Sequence, residues 1–317
     1  MSKLTIDQIL EKAFTTGDLT NGGLLGPDQA AQFVRGMFEK SVVSQEVRRV
    51  PMKANKMQID KITYSASVLQ KPVAVGTEHT TTTKPTTSKL DLSAAEVIVA
   101  IDIGYDSLED SIEGQGLFDT ILELTEAKLG PEMDNLILYG DTSLAGGTVL
   151  DQVDGVFKRI TSYSYDAASA TLSDTILFNT LKILPGMYLD SESDWRFWVS
   201  HKARLDYVKA LADKNVNDAF TRYLLEAKEP TYQGIPVRKV GAMATEDLDA
   251  GTPVVPGSKG LLINPKNVIL GIHRDIMYEM ERVPRKRIVE VTMTMRLDVQ
   301  VEEEAAAVKI LNIKHSV

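Results

Sequence analysis

Val289-Glu290-Val291-Thr292-Met293-Thr294-Met295-Arg296-Leu297-Asp298-Val299-Gln300-Val301 is the stretch on which the class of fold turns. Apolar residues hold every odd position and polar or charged residues every even one. That period of two places alternate side chains on opposite faces of a β-strand, whereas a helix would scatter them around its circumference. At about 3.3 Å per residue the stretch spans ~40 Å, well beyond an ordinary strand. It predicts a sheet extended along one side of a flat molecule.

A second alternating strand is carried by Val97, Val99, Ile101 and Ile103. Ahead of it, Met57 and Ile59 flank Gln58 in extended spacing, and the chain from Gln70 to Lys89 is thin in large apolar residues. Its threonines favour extended backbone, while Pro72, Gly76 and Pro85 oppose a central-strand position. This pattern predicts a long polar two-stranded excursion, which is marginal alone and needs another surface. At the start, Asn21-Gly22-Gly23-Leu24-Leu25-Gly26 makes residues 1–26 an arm in search of a partner. Pro27 suits a first helical position, and Ala30, Phe33, Val34, Met37 and Phe38 recur at helical spacing, predicting an amphipathic helix from about Pro27 to Arg48.

After Gly114-Gln115-Gly116 come Leu117, Ile121, Leu124, Met133, Leu136 and Ile137, a long helix interrupted at Gly130-Pro131 by a kink or a break into two. From about Thr171 the chain becomes mixed α/β: a helix over Leu172–Leu184, a strand over Trp195–Ser200, a helix over Lys202–Lys214, and a turn into a short strand at Tyr232–Val237.

The chain has 317 residues, with 35 Lys plus Arg against 44 Asp plus Glu, a formal charge of −9 and no cysteine. Length allows one large or two ordinary domains. The charge balance weakens a role in holding nucleic acid by counterion release. Lacking cysteine, the chain has no disulfide framework, thiolate metal site or cysteine nucleophile. Its longest strictly apolar run is five residues, Val97 to Ile101, far short of the roughly 20 that cross a bilayer. With no apolar stretch at Met1–Asp7, it reads as soluble and non-exported.

Sites of known chemistry are mostly missing. His79, His201, His273 and His315 show no metal-ligand spacing, and there is no phosphate loop, dinucleotide fingerprint or nucleophile elbow. No cofactor is expected. Glu109-Asp110, Asp190 to Asp194 and Glu302-Glu303-Glu304 are carboxylate clusters that read as solvated faces or intersubunit salt bridges. Trp195, Phe197 and Trp198 read as buried packing. The basic cluster Arg282, Arg285, Lys286, Arg287 reads either as a charged turn ahead of a strand or as a contact to phosphate or an acidic neighbour.

The order of these elements resembles the tailed-phage major capsid protein family, with its Hong-Kong-ninety-seven-type shell fold. The resemblance tightens at Val97 to Ser111, a strand returning from the extended loop into a Leu-Glu-Asp-Ser turn before the spine helix, here about Gly116 to Tyr139. Leu138-Tyr139-Gly140-Asp141 and Val153-Asp154-Gly155-Val156 resemble the family's turn and first axial-domain strand. Phe197 to Leu205, Gly234-Ile235-Pro236-Val237 and the run from Leu261 to Ile313, similar to the peripheral-domain strands, extend it over nearly the whole chain.

The resemblance implies an α+β fold: an N-terminal arm and helix (1–49), an extended loop hairpin (50–91), a peripheral domain with spine helix and long antiparallel sheet (92–151 and 265–317), and a mixed α/β axial domain (152–264). It implies a structural, non-enzymatic role: a homo-oligomer of hexamers and pentamers, forming an icosahedral or prolate head in the virion, made in the host bacterial cytoplasm and enclosing double-stranded DNA without sequence-specific binding or any membrane. A separate scaffolding protein, a portal and a decoration protein are the expected partners. Intersubunit contact is expected from the extended loop through Lys71, Glu78, His79, Thr81, Thr83, Lys84 and Lys89, and charge contact from Arg282, Arg285, Lys286 and Arg287. The family's prototype cross-links subunits through a Lys and an Asn; no matching Asn is identified here, and noncovalent assembly is expected. The competing readings are an encapsulin-like bacterial compartment shell and a soluble α/β enzyme built on the carboxylate clusters and the loop after Tyr139.

Overall fold

The alternating stretch is strand β11, Ile288–Val301. It lies between β10, Val268–Val283, and β4, Ala95–Gly104, antiparallel to both, and a short β1, Arg48–Pro51, adds parallel to β10 to complete the order β1-β10-β11-β4. The structure is a computed structural model describing residues 41–315 apart from 65–66, 72–73, 75–77, 79–82, 107–115, 145–146, 190–193, 215–228 and 245–256.

The apolar face of β11 is buried along a helix, α2, Gly116–Tyr139. Val291 and Met293 pack with Ile121 and Leu129, and Met295, Leu297 and Val299 join Met133, Leu136 and Ile137 in the main core. Each such side chain contributes about 1.5–3 kcal/mol on burial, so strand and helix support each other. Of the two forms expected at Gly130-Pro131, a break into two helices does not occur: α2 is one helix through Pro131. The proline removes one hydrogen bond, but apolar contacts on both sides of it bind the helix to the same strand.

The second sheet has the order β5-β12-β9-β6-β8-β7, with β5 Ser164–Asp166, β6 Arg196–Val199, β7 Thr231–Tyr232, β8 Ile235–Lys239, β9 Gly257–Ile263 and β12 Ala307–Lys314. One face carries Phe197, Val199, Leu262, Val308 and Ile310 against α4, Asp174–Ile183, and α5, His201–Lys214. The opposite face, Trp198, Leu261 and Ile263, joins the core around the end of α2. Trp195, Phe197 and Trp198 are all buried, as packing. The β7–β8 turn uses left-handed backbone at Gln233 (φ 48°) and Gly234 (φ 81°), the geometry that matches hairpin twist.

Three local expectations change. Val153-Asp154-Gly155-Val156 is not a strand but a turn leading into helix α3, Val156–Arg159, because Gly155 is pinned by its amide to the Gly140 carbonyl at 2.7 Å. In the described part of the segment where a helix was expected to reach Arg48, there is only a four-residue helical turn, α1, Val43–Glu46, and Arg48 opens β1; residues 27–40 and the Leu108-Glu109-Asp110-Ser111 turn lie outside the described residues. Within the run Leu261 to Ile313, β9 and β12 belong to the six-stranded sheet rather than to the sheet of β10 and β11. Asn267 causes the departure: its side chain accepts the Glu303 amide at 2.8 Å and donates to the Glu303 carbonyl at 2.8 Å, turning the chain away after β11.

Candidate functional site

One two-stranded element stands apart from the two larger sheets. Strands β2, Lys56–Thr63, and β3, Thr86–Ser93, pair antiparallel from Lys56↔Ser93 to Thr63↔Thr86 as a sheet of their own. Register puts Met57 opposite Leu92 and Ile59 opposite Leu90, on one face. These four pack at the root with Met52, Ala94 and Ile269. A Cβ on Gly271 of β10 would come within 2.9 Å of the Met52 sulfur and 3.4 Å of Leu92, so only glycine lets the root close this tightly. Polar ties add direction. The Ser93 amide donates to Asp298 at 2.7 Å, Gln300 donates to the Asp91 carbonyl at 3.1 Å, and Lys61 pairs with Glu303. Burial pushes the Asp298 carboxyl up, against the pull of the Ser93 amide and Arg159.

Beyond the root nothing in the described chain covers the hairpin. Ile62 is 67% exposed, Tyr64 57%, Val68 61% and Leu69 91%. Water-facing side chains of this size, grouped on one projection, mark a surface made for a partner. Sequence reasoning passed over them because it weighed the polar stretch that follows; the Ile62-Thr63-Tyr64 and Val68-Leu69 pairs were the available signal. Of the residues expected to make contacts, Lys71, Glu78 and Lys84 are exposed. Lys89 is exposed and donates to Gln58 at 3.4 Å. Thr83 spends its hydroxyl inside the loop, accepting from Gln70 and donating to the Ser67 carbonyl, both at 3.0 Å. His79 and Thr81 lie outside the described residues.

The basic cluster sits at the β10–β11 turn and is largely answered within the chain. Arg282 donates to the Tyr105 hydroxyl at 2.6 Å and stacks 4.4 Å over its ring, a cation–π contact. Arg287 pairs with Asp106 at 2.8 Å, and Lys286 with Glu290 at 2.7 Å, which raises the Lys286 ammonium pKa. Arg285 is exposed and has no charged or hydrogen-bonding partner among the described residues. These contacts tie the turn to the end of β4, leaving one free cation there among the described residues.

Where described, the carboxylate clusters have partners within the chain. Glu302 pairs with Arg48 at 2.9 Å and Glu303 with Lys61, while Glu304 accepts the Thr161 and Ser162 amides at 2.6 and 2.9 Å. Asp194 stands 4.0 Å from Lys266. After Tyr139, Lys158 sits between Asp141 and Asp154 and, with Ser143, holds the Asp141 carboxyl down at about 2. Glu109, Asp110 and residues 190–193 lie outside the described set. Among the described residues no group of His, Asp and Glu could hold a metal ion, and no helix is long and apolar enough to cross a membrane.

A long hairpin of strands laid on a spine helix, a second sheet at the end of that helix, and an extension whose outer half has no cover define a subunit built to be completed by its neighbours: a shell protein of the Hong-Kong-ninety-seven type. Known proteins agree. Residues 21–312 match the phage capsid family. YqbE of Bacillus subtilis (strain 168), provisionally named a prophage capsid protein, is 30% identical over 313 residues, covering 97% of this chain and 98% of that protein. A chain of the satellite phage P4 procapsid that includes the size determination protein superposes with a TM-score of 0.64 at 13% identity, covering 98% of each chain. A chain of the SrpI encapsulin complex of Synechococcus elongatus PCC 7942 gives 0.60 at 10% identity over 100% and 99%. At such identities the structures speak for the fold alone. The chain belongs to the phage capsid family, and its role is that of a major capsid protein, assembling into a shell.

Proposed function

We propose that the protein forms the hexamers and pentamers of an icosahedral or prolate tailed-phage head around double-stranded DNA, with the projecting hairpin as its principal intersubunit contact. The single observation that carries this is the uncovered apolar group Ile62, Tyr64, Val68 and Leu69 on a hairpin whose root is fixed. Lys71, Glu78, Lys84 and Lys89, with His79, Thr81 and Thr83, form the polar surround of that contact. The sheet of β10 and β11 with the spine serves as the peripheral domain and the six-stranded sheet as the core of the axial domain. Arg285 is the residue of the basic turn available to an acidic neighbour or to phosphate.

Contact with DNA is sparse in this reading, in keeping with the net charge of −9. Catalysis plays no part, assembly is noncovalent, and scaffolding, portal and decoration functions come from other proteins in the host bacterial cytoplasm. The likeness to the SrpI complex supports a second reading, a protein-filled bacterial compartment; the family match favours the phage head. Replacing residues 65–85 by a short Gly-Ser turn tests the contact. Folded subunits that no longer form shells in negative-stain images are expected, and shells of normal yield would refute it. Nucleic acid or protein inside purified wild-type particles separates the two readings.

A further inference from the structure

Residues 41–52 touch the spine helix and both larger sheets within one short stretch. Asp134, on α2 and 2% exposed, accepts the amides of Val42, Val43 and Ser44 at 2.8, 3.1 and 3.3 Å, and the Ser41 hydroxyl. All these donors come from this stretch. Burial pushes the Asp134 carboxyl up and the donors pull it back. Further on, Glu46 faces the other sheet: it accepts the Trp198 indole N–H of β6 at 3.0 Å and pairs with Arg238 of β8. The chain then enters β1, in register with Ile269–Ile272 of β10, and the Met52 amide donates to the Ile272 carbonyl at 2.8 Å. Arg49, on the exposed side, braces the bend by donating twice to the Ser44 carbonyl at 3.1 and 2.9 Å.

A segment that merely connects has no need of two desolvated carboxylates. Burying a charge is unfavourable unless donors surround it, and here donors are matched to one carboxylate from the spine and one pointing to the second sheet. Position in the chain supplies the consequence. Residues 1–40 precede this stretch and the hairpin begins at Lys56, so both extensions start from it.

We propose that residues 41–52 form a clasp that couples the N-terminal arm and the hairpin to the angle between the two sheets, with Asp134 and Glu46 as its positioning residues. Moving the arm displaces a stretch fixed at once to spine, second sheet and first sheet. Docking of the arm in a shell therefore biases the subunit's shape and the direction in which the hairpin leaves it. The clasp selects shell geometry as well as adding stability.

The inference rests on the shell-forming role, and separate readouts test the two: wild-type protein that forms no shells sinks that role, whereas the variants below bear on the clasp. Full-length Asp134→Asn, Glu46→Gln and Ser41→Ala are compared with Ile137→Val, which trims the same buried cluster without touching a polar contact. Particle diameters are measured by electron microscopy, and subunit melting and amide exchange in parallel. The three clasp variants are expected to lose the single diameter class of the wild type, giving mixed sizes or open sheets, with faster exchange at Val42–Ser44 in Asp134→Asn. Ile137→Val is expected to keep one diameter even where its melting point falls as far. Uniform wild-type diameters in the clasp variants, or the same size scatter in Ile137→Val, would overturn the proposal. Should Asp134→Asn fail to fold, Ser41→Ala, which deletes one donor, decides alone.

Discussion

Gly140→Ala is the sharpest test of how this fold is joined. Gly140 follows the last residue of the spine, and its carbonyl accepts the Gly155 amide at 2.7 Å where the chain crosses back. A Cβ at Gly140 would lie 2.2 Å from the Val153 carbonyl oxygen, 2.8 Å from that of Leu136 and 3.1 Å from the Gly155 nitrogen. All three are backbone atoms, so no side chain can swing aside. Bringing the shortest contact to 3.0 Å demands 0.8 Å of backbone movement (3.0 less 2.2). Overpacking costs about 1–3 kcal/mol, and distorting the buried Gly155 hydrogen bond adds about 1–3 kcal/mol. A loss of roughly 3 kcal/mol or more is expected, lowering the melting point of the unassembled subunit by about 4–5 °C or more, since about 2.1 cal/mol/K per residue over 317 residues is about 0.67 kcal/mol/K. Gly186→Ala is the control, because a Cβ there meets nothing within 4 Å, and it should stay within ~0.5 kcal/mol of wild type. Thermal unfolding followed by circular dichroism reads both. A loss below about 1 kcal/mol for Gly140→Ala would show that the crossing is not as close as described.

Ile62→Ser combined with Leu69→Ser should leave subunit melting unchanged, since both side chains are exposed, yet abolish shells in sedimentation profiles; particles at normal yield would refute the hairpin contact. Lys158→Met should flatten the acid limb of stability. Asp141 is held at about 2 against an ordinary 3.8, so its contribution is present above pH ~4 and lost as pH falls through ~2. Unfolding curves at pH 5 and pH 3, about one unit either side of that upper bound, should lie closer together in the variant than in the wild type, and an undiminished pH dependence would count against the Asp141–Lys158 assignment. Trp198→Phe should lower the unfolding free energy from denaturant titration more than Trp195→Phe, by about 1 kcal/mol, because the indole of Trp198 donates to the Glu46 carboxylate while that of Trp195 donates to the Tyr188 carbonyl. Equal losses would remove Glu46 from the account.

What the sequence determined by itself is whatever short-range periodicity encodes. Alternation at 289–301 specified β11 almost to its ends, and helical spacing specified α2, α4 and α5, because backbone geometry repeats every two or 3.6 residues and burial follows. The paired strands before Val97 were legible for the same reason, as was the resemblance in element order. Tertiary structure alone decided the rest, since contacts distant in sequence leave no local pattern. Nothing near Asp134 marks it as the acceptor for Ser41–Ser44, and nothing near Glu46 announces Trp198 and Arg238. Asn267 sends β12 to the second sheet by gripping Glu303, a pair 36 residues apart. Exposure is likewise a property of the assembled fold. Alternation puts Met57 and Ile62 on opposite faces of one strand, and only the place where the hairpin meets the body decides that the first face is packed while the second is left for a neighbour.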